Sequence, residues 1–116
     1  MTELHPEDAK LVTLARATRS RTGAAEGAAV RDETGRTYTA ATVLLDSLRL
    51  SAVQVAVATA ASSGARQLMA AAVVRSEPEQ PAVADADLSA LRDLGGAGIT
   101  VYLCDATGAV LATPTA

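Results

Sequence analysis

Ser51 is the hydroxyl best placed for chemistry in this chain. It precedes Ala52-Val53-Gln54-Val55-Ala56-Val57-Ala58-Thr59-Ala60-Ala61, a run apolar on nearly every side. At the start of such a helix the backbone dipole would favour an alkoxide. A serine nucleophile also needs a neighbouring base. The one histidine, His5, precedes Pro6 in an N-terminal tail expected to be unstructured. Ser51 therefore reads as an N-cap. Asp46, Asp85 and Asp87 offer carboxylates for a magnesium ion or for acid–base work. Asp85 and Asp87 open a helical pattern, where acids complement the dipole, and so read as caps. Glu26 opens an apolar strand and reads as an exposed strand-end charge, with a pocket-facing orientation as the alternative. Arg49 reads as a solvated loop residue, an anion contact being the sharper alternative. Cys104 ends the run Ile99-Thr100-Val101-Tyr102-Leu103 and reads as a buried, inert thiol.

The elements that must position these groups follow from periodicity and punctuation. Leu11, Leu14 and Ala15 share one face of a helix over 6–19, with Pro6 suited to its first turn. A strand over 26–31, a turn through Gly35 and a strand over 36–42 make a hairpin. Residues 43–50 read as a connection whose leucines need cover. A helix over 51–63 follows, then a doubly covered strand over 67–75 and a loop with two prolines over 76–81. Leu88, Leu91 and Leu94 mark an amphipathic helix over 85–94, stopped by Gly95, Gly96 and Gly98. Strands over 99–104 and 110–113 flank a turn over 105–108. No internal repeat is evident. The strand–helix–strand crossovers imply an α/β fold: a partly parallel sheet with helices on both faces.

Composition narrows the function classes. The chain has 116 residues, enough for one domain over 1–116. It is 49% apolar and 20% charged, so it is globular. With only Tyr38 and Tyr102 as aromatics, the core must be Ala, Val and Leu, and the tyrosines read as core or interface residues. The net charge is −3, and the one basic cluster, Arg16, Arg19 and Arg21, reads as the solvated end of a helix. No nucleic-acid partner is expected. One cysteine rules out an internal disulfide. No signal segment or membrane span is expected, and the expected location is cytoplasmic.

Several of these segments together resemble a known family. They are Gly27-Ala28-Ala29-Val30, the turn through Gly35, Thr37-Tyr38-Thr39-Ala40-Ala41-Thr42, Ala60-Ala61-Ser62-Ser63-Gly64, Ala71-Ala72-Val73-Val74 and Ile99-Thr100-Val101-Tyr102-Leu103. In order and spacing they are similar to the cytidine deaminases, over roughly residues 11–111. The resemblance implies a three-layer α/β/α cytidine deaminase-like fold with a five-stranded mixed sheet. It also implies a zinc centre held by three thiolates, or by a histidine and two thiolates, with a Cys-Ala-Glu at one helix start and a Pro-Cys-x-x-Cys at another. A metal-bound hydroxide there attacks the cytosine ring while the glutamate moves protons.

The residues at those places depart from the pattern. The Cys-Ala-Glu slot falls on Ser51-Ala52-Val53, so the catalytic glutamate is replaced by Val53. The second pair of cysteine slots falls on Ala84 and Asp87. The ribose-holding Asn-x-Glu falls on Thr42-Val43-Leu44, and the aromatic ahead of the Gly-Ala-Ala strand falls on Ala24. By analogy the substrate pocket would involve Glu26, Thr42, Leu44, Ser51 and Val53. No zinc cofactor is expected at Ser51, Ala84 and Asp87, because zinc sites draw on Cys and His. The first expectation is a catalytically inactive, deaminase-like binding or assembly module. The resemblance implies that it is a homo-oligomer, a dimer or tetramer. A second is an altered hydrolase acting without zinc on a nucleoside or other small polar metabolite. A third is a small-molecule sensor using a vacated pocket lined by Leu44, Val53 and Ala84.

Overall fold

The computed structural model describes residues 4–76 and 82–116. Most of the loop expected over 76–81 therefore lies outside the described residues. The chain starts with α1 (Pro6–Thr22), which has Pro in its first turn, Glu7 and Asp8 at its start and Arg19 and Arg21 at its end. Gly23 stops it in the left-handed region at φ 65°. His5 is not a loose tail residue. It is the N-cap, and its Nδ1 accepts from the Glu7 amide at 3.2 Å. The unpaired amides of the first turn give the imidazole a partner that sequence position alone does not reveal.

Next come β1 (Glu26–Asp32), β2 (Thr37–Ala41), β3 (Val43–Leu44) and β4 (Arg49–Leu50). Then follow α2 (Ala52–Ser62), β5 (Leu68–Arg75), α3 (Asp85–Gly95), β6 (Thr100–Cys104) and β7 (Val110–Ala112). Five strands form one sheet in the order β2-β1-β5-β6-β7. Among the described residues only β5 and β6 run parallel, and α3 makes that crossover. β1 is antiparallel to both β2 and β5. The sheet is mixed and five-stranded, as expected. The last strand is prolonged by the C-terminal residues: Thr115 bridges Thr100 and the Ala116 amide donates to the Ile99 carbonyl at 2.8 Å.

Strand alternation sorts the core into two layers. Ala28 and Val30 of β1, Ala71 and Val73 of β5, and Val101 and Leu103 of β6 face α2 and α3. Ala29, Ala70, Ala72, Val74 and Cys104 face Leu11, Val12 and Ala15 of α1. Central strands buried on both faces explain the unbroken apolar run of β5. The close approach of α1 depends on Gly27. A Cβ there would stand 2.1 Å from the Ala15 carbonyl oxygen and 2.7 Å from the Arg19 Cβ.

Both antiparallel hairpins of the sheet turn on the same tetrapeptide, Asp-x-Thr-Gly, a repetition only four residues long. In the first, Asp32 Oδ1 accepts from the Thr34 amide at 2.9 Å, the Thr34 hydroxyl at 2.7 Å and the Arg36 amide at 3.0 Å. In the second, Asp105 Oδ1 accepts from the Thr107 amide at 2.9 Å, its hydroxyl at 2.6 Å and the Ala109 amide at 3.1 Å. Gly35 and Gly108 close them at φ 88° and 89°. The aspartate side chain copies a backbone acceptor, and glycine supplies the left-handed step.

Asp32 also accepts from the Tyr38 hydroxyl at 2.8 Å. Burial works to raise its pKa, but the hydrogen bonds from the Thr34 and Tyr38 hydroxyls and the Thr34 and Arg36 amides outweigh it. They hold the carboxyl at about 2, below its ordinary 3.8. The folded value is the lower one, so this stability is present above pH 3.8 and fades as pH falls through about 2. Asp32→Asn is therefore expected to lower the urea midpoint at pH 7 and to leave the variant and parent closer together at pH 2. An equal gap at both pH values would contradict the assignment.

Residues 43–50, expected as a plain connection with covered leucines, instead form a short ladder: Val43 pairs with Leu50 and Leu44 with Arg49. Its tip leaves Leu44 70%, Leu45 60% and Leu48 49% exposed. A two-rung ladder is too short to fold its own side chains under the sheet. Among the described residues, no helix is long and apolar enough to cross a membrane.

Candidate functional site

The N-terminal ends of α2 and α3 meet, and Ser51 and Asp87 stand at the junction. Ser51 is the N-cap of α2 in a complete capping box: its Oγ accepts from the Gln54 amide at 3.1 Å, and Gln54 Oε1 accepts from the Ser51 amide at 2.9 Å. The same hydroxyl donates to Asp87 Oδ1 at 2.6 Å. Ser51 is thus the N-cap read from the sequence, with a second duty across the fold.

Asp85 and Asp87 both lie in the first turn of α3, where acids complement the dipole as expected, but neither makes a side-chain cap bond. Ala84 is the N-cap and makes no side-chain cap bond. Asp87 lies in the first turn and is only 3% exposed, turned inward to Ser51. Desolvation raises its pKa; the Ser51 hydrogen bond opposes that, the nearby Glu26 charge adds to it and Arg75 subtracts from it.

Glu26 is not the exposed strand-end charge expected. Its Oε2 pairs with Arg75 Nε at 2.6 Å, with both side chains under 20% exposed. The β1–β5 register sets Glu26 opposite Arg75, which is why they meet. Arg75 Nη1 also donates to the Ala82 carbonyl at 2.8 Å, just ahead of α3. Thr42 Oγ1 accepts from the Glu26 amide at 3.1 Å and so fixes the strand end that carries the carboxylate.

The remaining candidates are dispersed. Val53 is 1% exposed and belongs to the core between α2 and the sheet. Leu44 stands out on the exposed ladder, and Ala84, Arg49 and Asp46 are exposed. Cys104 is fully buried on the opposite, α1-facing layer, where desolvation pushes its thiol up to about 11. Tyr38 packs against the α2-side core, and Tyr102 against the α1 side, where its hydroxyl donates to Asp8. Two partners were not singled out from the sequence. Gln54 was within reach, three residues after an N-cap serine. Arg75 was not, because only the strand register reveals it.

A model of the family described as cytidine deaminase-like matches residues 4–108. The chain belongs to the cytidine deaminase-like family. Solved structures agree on the fold. A cytidine deaminase from Burkholderia pseudomallei superposes with a TM-score of 0.80 at 24% identity, covering 99% of this chain and 93% of that one. A cytidine deaminase from Mycobacterium leprae gives 0.72 at 20% identity, covering 97% and 94%. One from Mycobacterium tuberculosis gives 0.65 at 24% identity, covering 79% and 80%. No curated protein matches the chain.

The zinc of the cytidine deaminase-like family does not fit the residues present. The three positions that the resemblance assigns to zinc ligands, Ser51, Ala84 and Asp87, supply a hydroxyl, a methyl and a carboxylate. Zinc holds oxygen ligands at 2.0–2.2 Å in a tetrahedron, which keeps them roughly 3.3 Å apart. Ser51 Oγ and Asp87 Oδ1 are instead bonded directly at 2.6 Å. Among the described residues, no three His, Cys, Asp or Glu side chains cluster as a metal site. The Ser51 hydroxyl proton is committed to the Asp87 carboxylate.

Proposed function

We propose that this cytidine deaminase-like chain does not run zinc-dependent deamination and acts as a homo-oligomeric binding or assembly module in the cytoplasm. The observation that carries this reading is the direct Ser51–Asp87 hydrogen bond at two of the three zinc-ligand slots. The burial of Val53 in the core, where the family's glutamate would shuttle protons, supports it. So does the replacement of the ribose clamp by Thr42 and Leu44, of which Thr42 bonds backbone and Leu44 is exposed. A site that loses its polar partners for a substrate hydroxyl discriminates poorly. The assembly half draws on the exposed Leu44, Leu45 and Leu48 of the ladder, a patch of the kind that marks contact surfaces.

The test combines metal analysis, a cytidine deamination assay and light scattering on the purified chain. The expected result is no stoichiometric zinc, no turnover above the uncatalysed rate, and a dimer or tetramer. Zinc at one per chain with turnover would overturn the reading. A strict monomer would remove its assembly half. Melting curves with added nucleosides then report whether the module takes a nucleoside-like ligand.

A further inference from the structure

The Ser51–Asp87 contact spans 36 residues of chain and joins two helices that otherwise meet through apolar packing. It has a supporting layer. The Glu26–Arg75 pair ties β1 to β5, and Arg75 continues to the Ala82 carbonyl, so the approach to α3 is held from the sheet. No buried side-chain nitrogen or oxygen among the described residues lacks a partner. A carboxylate shared by two helix N-termini also faces the positive end of both dipoles. We infer that the Ser51–Asp87 hydrogen bond is a metal-free tie between α2 and α3, doing in this chain the joining that a zinc centre would do by binding ligands from both helix starts. The inference rests on the proposed absence of a zinc centre.

A bound structural metal supplies folding free energy by linking its ligands. A hydrogen bond to a charged acceptor supplies less, but needs no ion. The fold of this chain is therefore independent of metal supply. Its dependence is transferred to the identity of two side chains.

The experiment uses the full chain at mildly alkaline pH, with and without a strong chelator. The melting temperature is expected to be the same in both. Ser51→Asp keeps an N-cap acceptor of equal quality but sets a second carboxylate against Asp87. It is expected to lower the folding equilibrium constant at least tenfold, about the worth of one charged hydrogen bond. The exchanged variant, Ser51→Asp with Asp87→Ser, restores a hydroxyl–carboxylate pair in the opposite sense and is expected to recover most of that loss. If Ser51→Asp does not fold, recovery of folding by the exchange carries the same weight. The tie is overturned by a chelator-lowered melting temperature, by a Ser51→Asp variant as stable as the parent, or by an exchange no better than Ser51→Asp alone. Zinc with turnover would defeat the proposed function. An unaffected Ser51→Asp in a zinc-free, inactive protein would defeat the tie alone.

Discussion

Ser51→Cys, Ala84→Cys and Asp87→Cys introduced together are expected to give a chain that binds one zinc ion. The side chains of residues 51 and 87 already touch, at 2.6 Å between Oγ and Oδ1. Residues 84 and 87 are the N-cap and a first-turn residue of one helix, positions whose side chains converge as they do in a capping box. Cys-x-x-Cys spacing with a third thiolate from a neighbouring element is an ordinary zinc ligand set. Helix N-termini also lower thiol pKa values and favour the ligating thiolate. With free zinc a thousandfold above its dissociation constant, binding adds about 4 kcal/mol to stability. For a chain of this size that raises the melting temperature by roughly 16 °C. Metal analysis and melting curves with and without zinc measure both. Deamination is not expected to return with the metal, because Val53 offers no group to move protons. A triple variant that remains zinc-free would show that these three positions do not converge on one point.

Gly27→Ala is expected to destabilise the fold by about 3 kcal/mol, the upper end of overpacking costs. The new Cβ would lie 2.1 Å from the Ala15 carbonyl oxygen, 2.7 Å from the Arg19 Cβ and 2.9 Å from the Arg19 amide nitrogen. Two of those atoms are backbone, so no rotamer change relieves them, and α1 must lift off the sheet. Leu11, Val12 and Ala15 would lift with it. Domains of this kind are stable by only about 5–15 kcal/mol. Gly95→Ala is the control. Its Cβ would meet the Ile99 Cδ1 at 2.0 Å, the Ile99 Cγ1 at 3.0 Å and the Leu68 Cβ at 3.1 Å; none of these atoms is backbone, so side-chain shifts relieve part of the clash, and about 1 kcal/mol is expected. Urea denaturation of both variants decides the matter. Equal effects would mean that α1 does not sit against β1 as closely as described.

Local chemistry was the legible part of this chain. The apolar run of β5, the helix over α2 with Ser51 at its start, and the glycine that ends α1 each announce themselves within a few residues. So does the family, through the order of short apolar segments. The candidate site was only half legible. Ser51 reads correctly as a cap because its partner Gln54 is three residues away. Its bond to Asp87 does not read at all, since the two are brought together by the crossover of α3. From the sequence Asp87 reads as a helix cap and Glu26 as an exposed strand-end charge, with a pocket-facing orientation as the alternative, because acids usually take those places. Each is drawn inward by one long-range partner, Ser51 or Arg75. The leucines of the ladder mislead in the other direction. Their hydrophobicity argues for cover, and a two-rung ladder cannot fold them under the sheet.

The burial of Cys104 has a practical consequence. The chain's single thiol is sealed between β6 and α1 at 0% exposure, with its ionisation pushed to about 11. A thiol-reactive dye cannot reach it while α1 is seated. Labelling then waits for α1 to leave the sheet or for the whole chain to unfold, and its rate under native conditions measures that opening. The protein carries its own stopwatch for that motion, with no engineered probe.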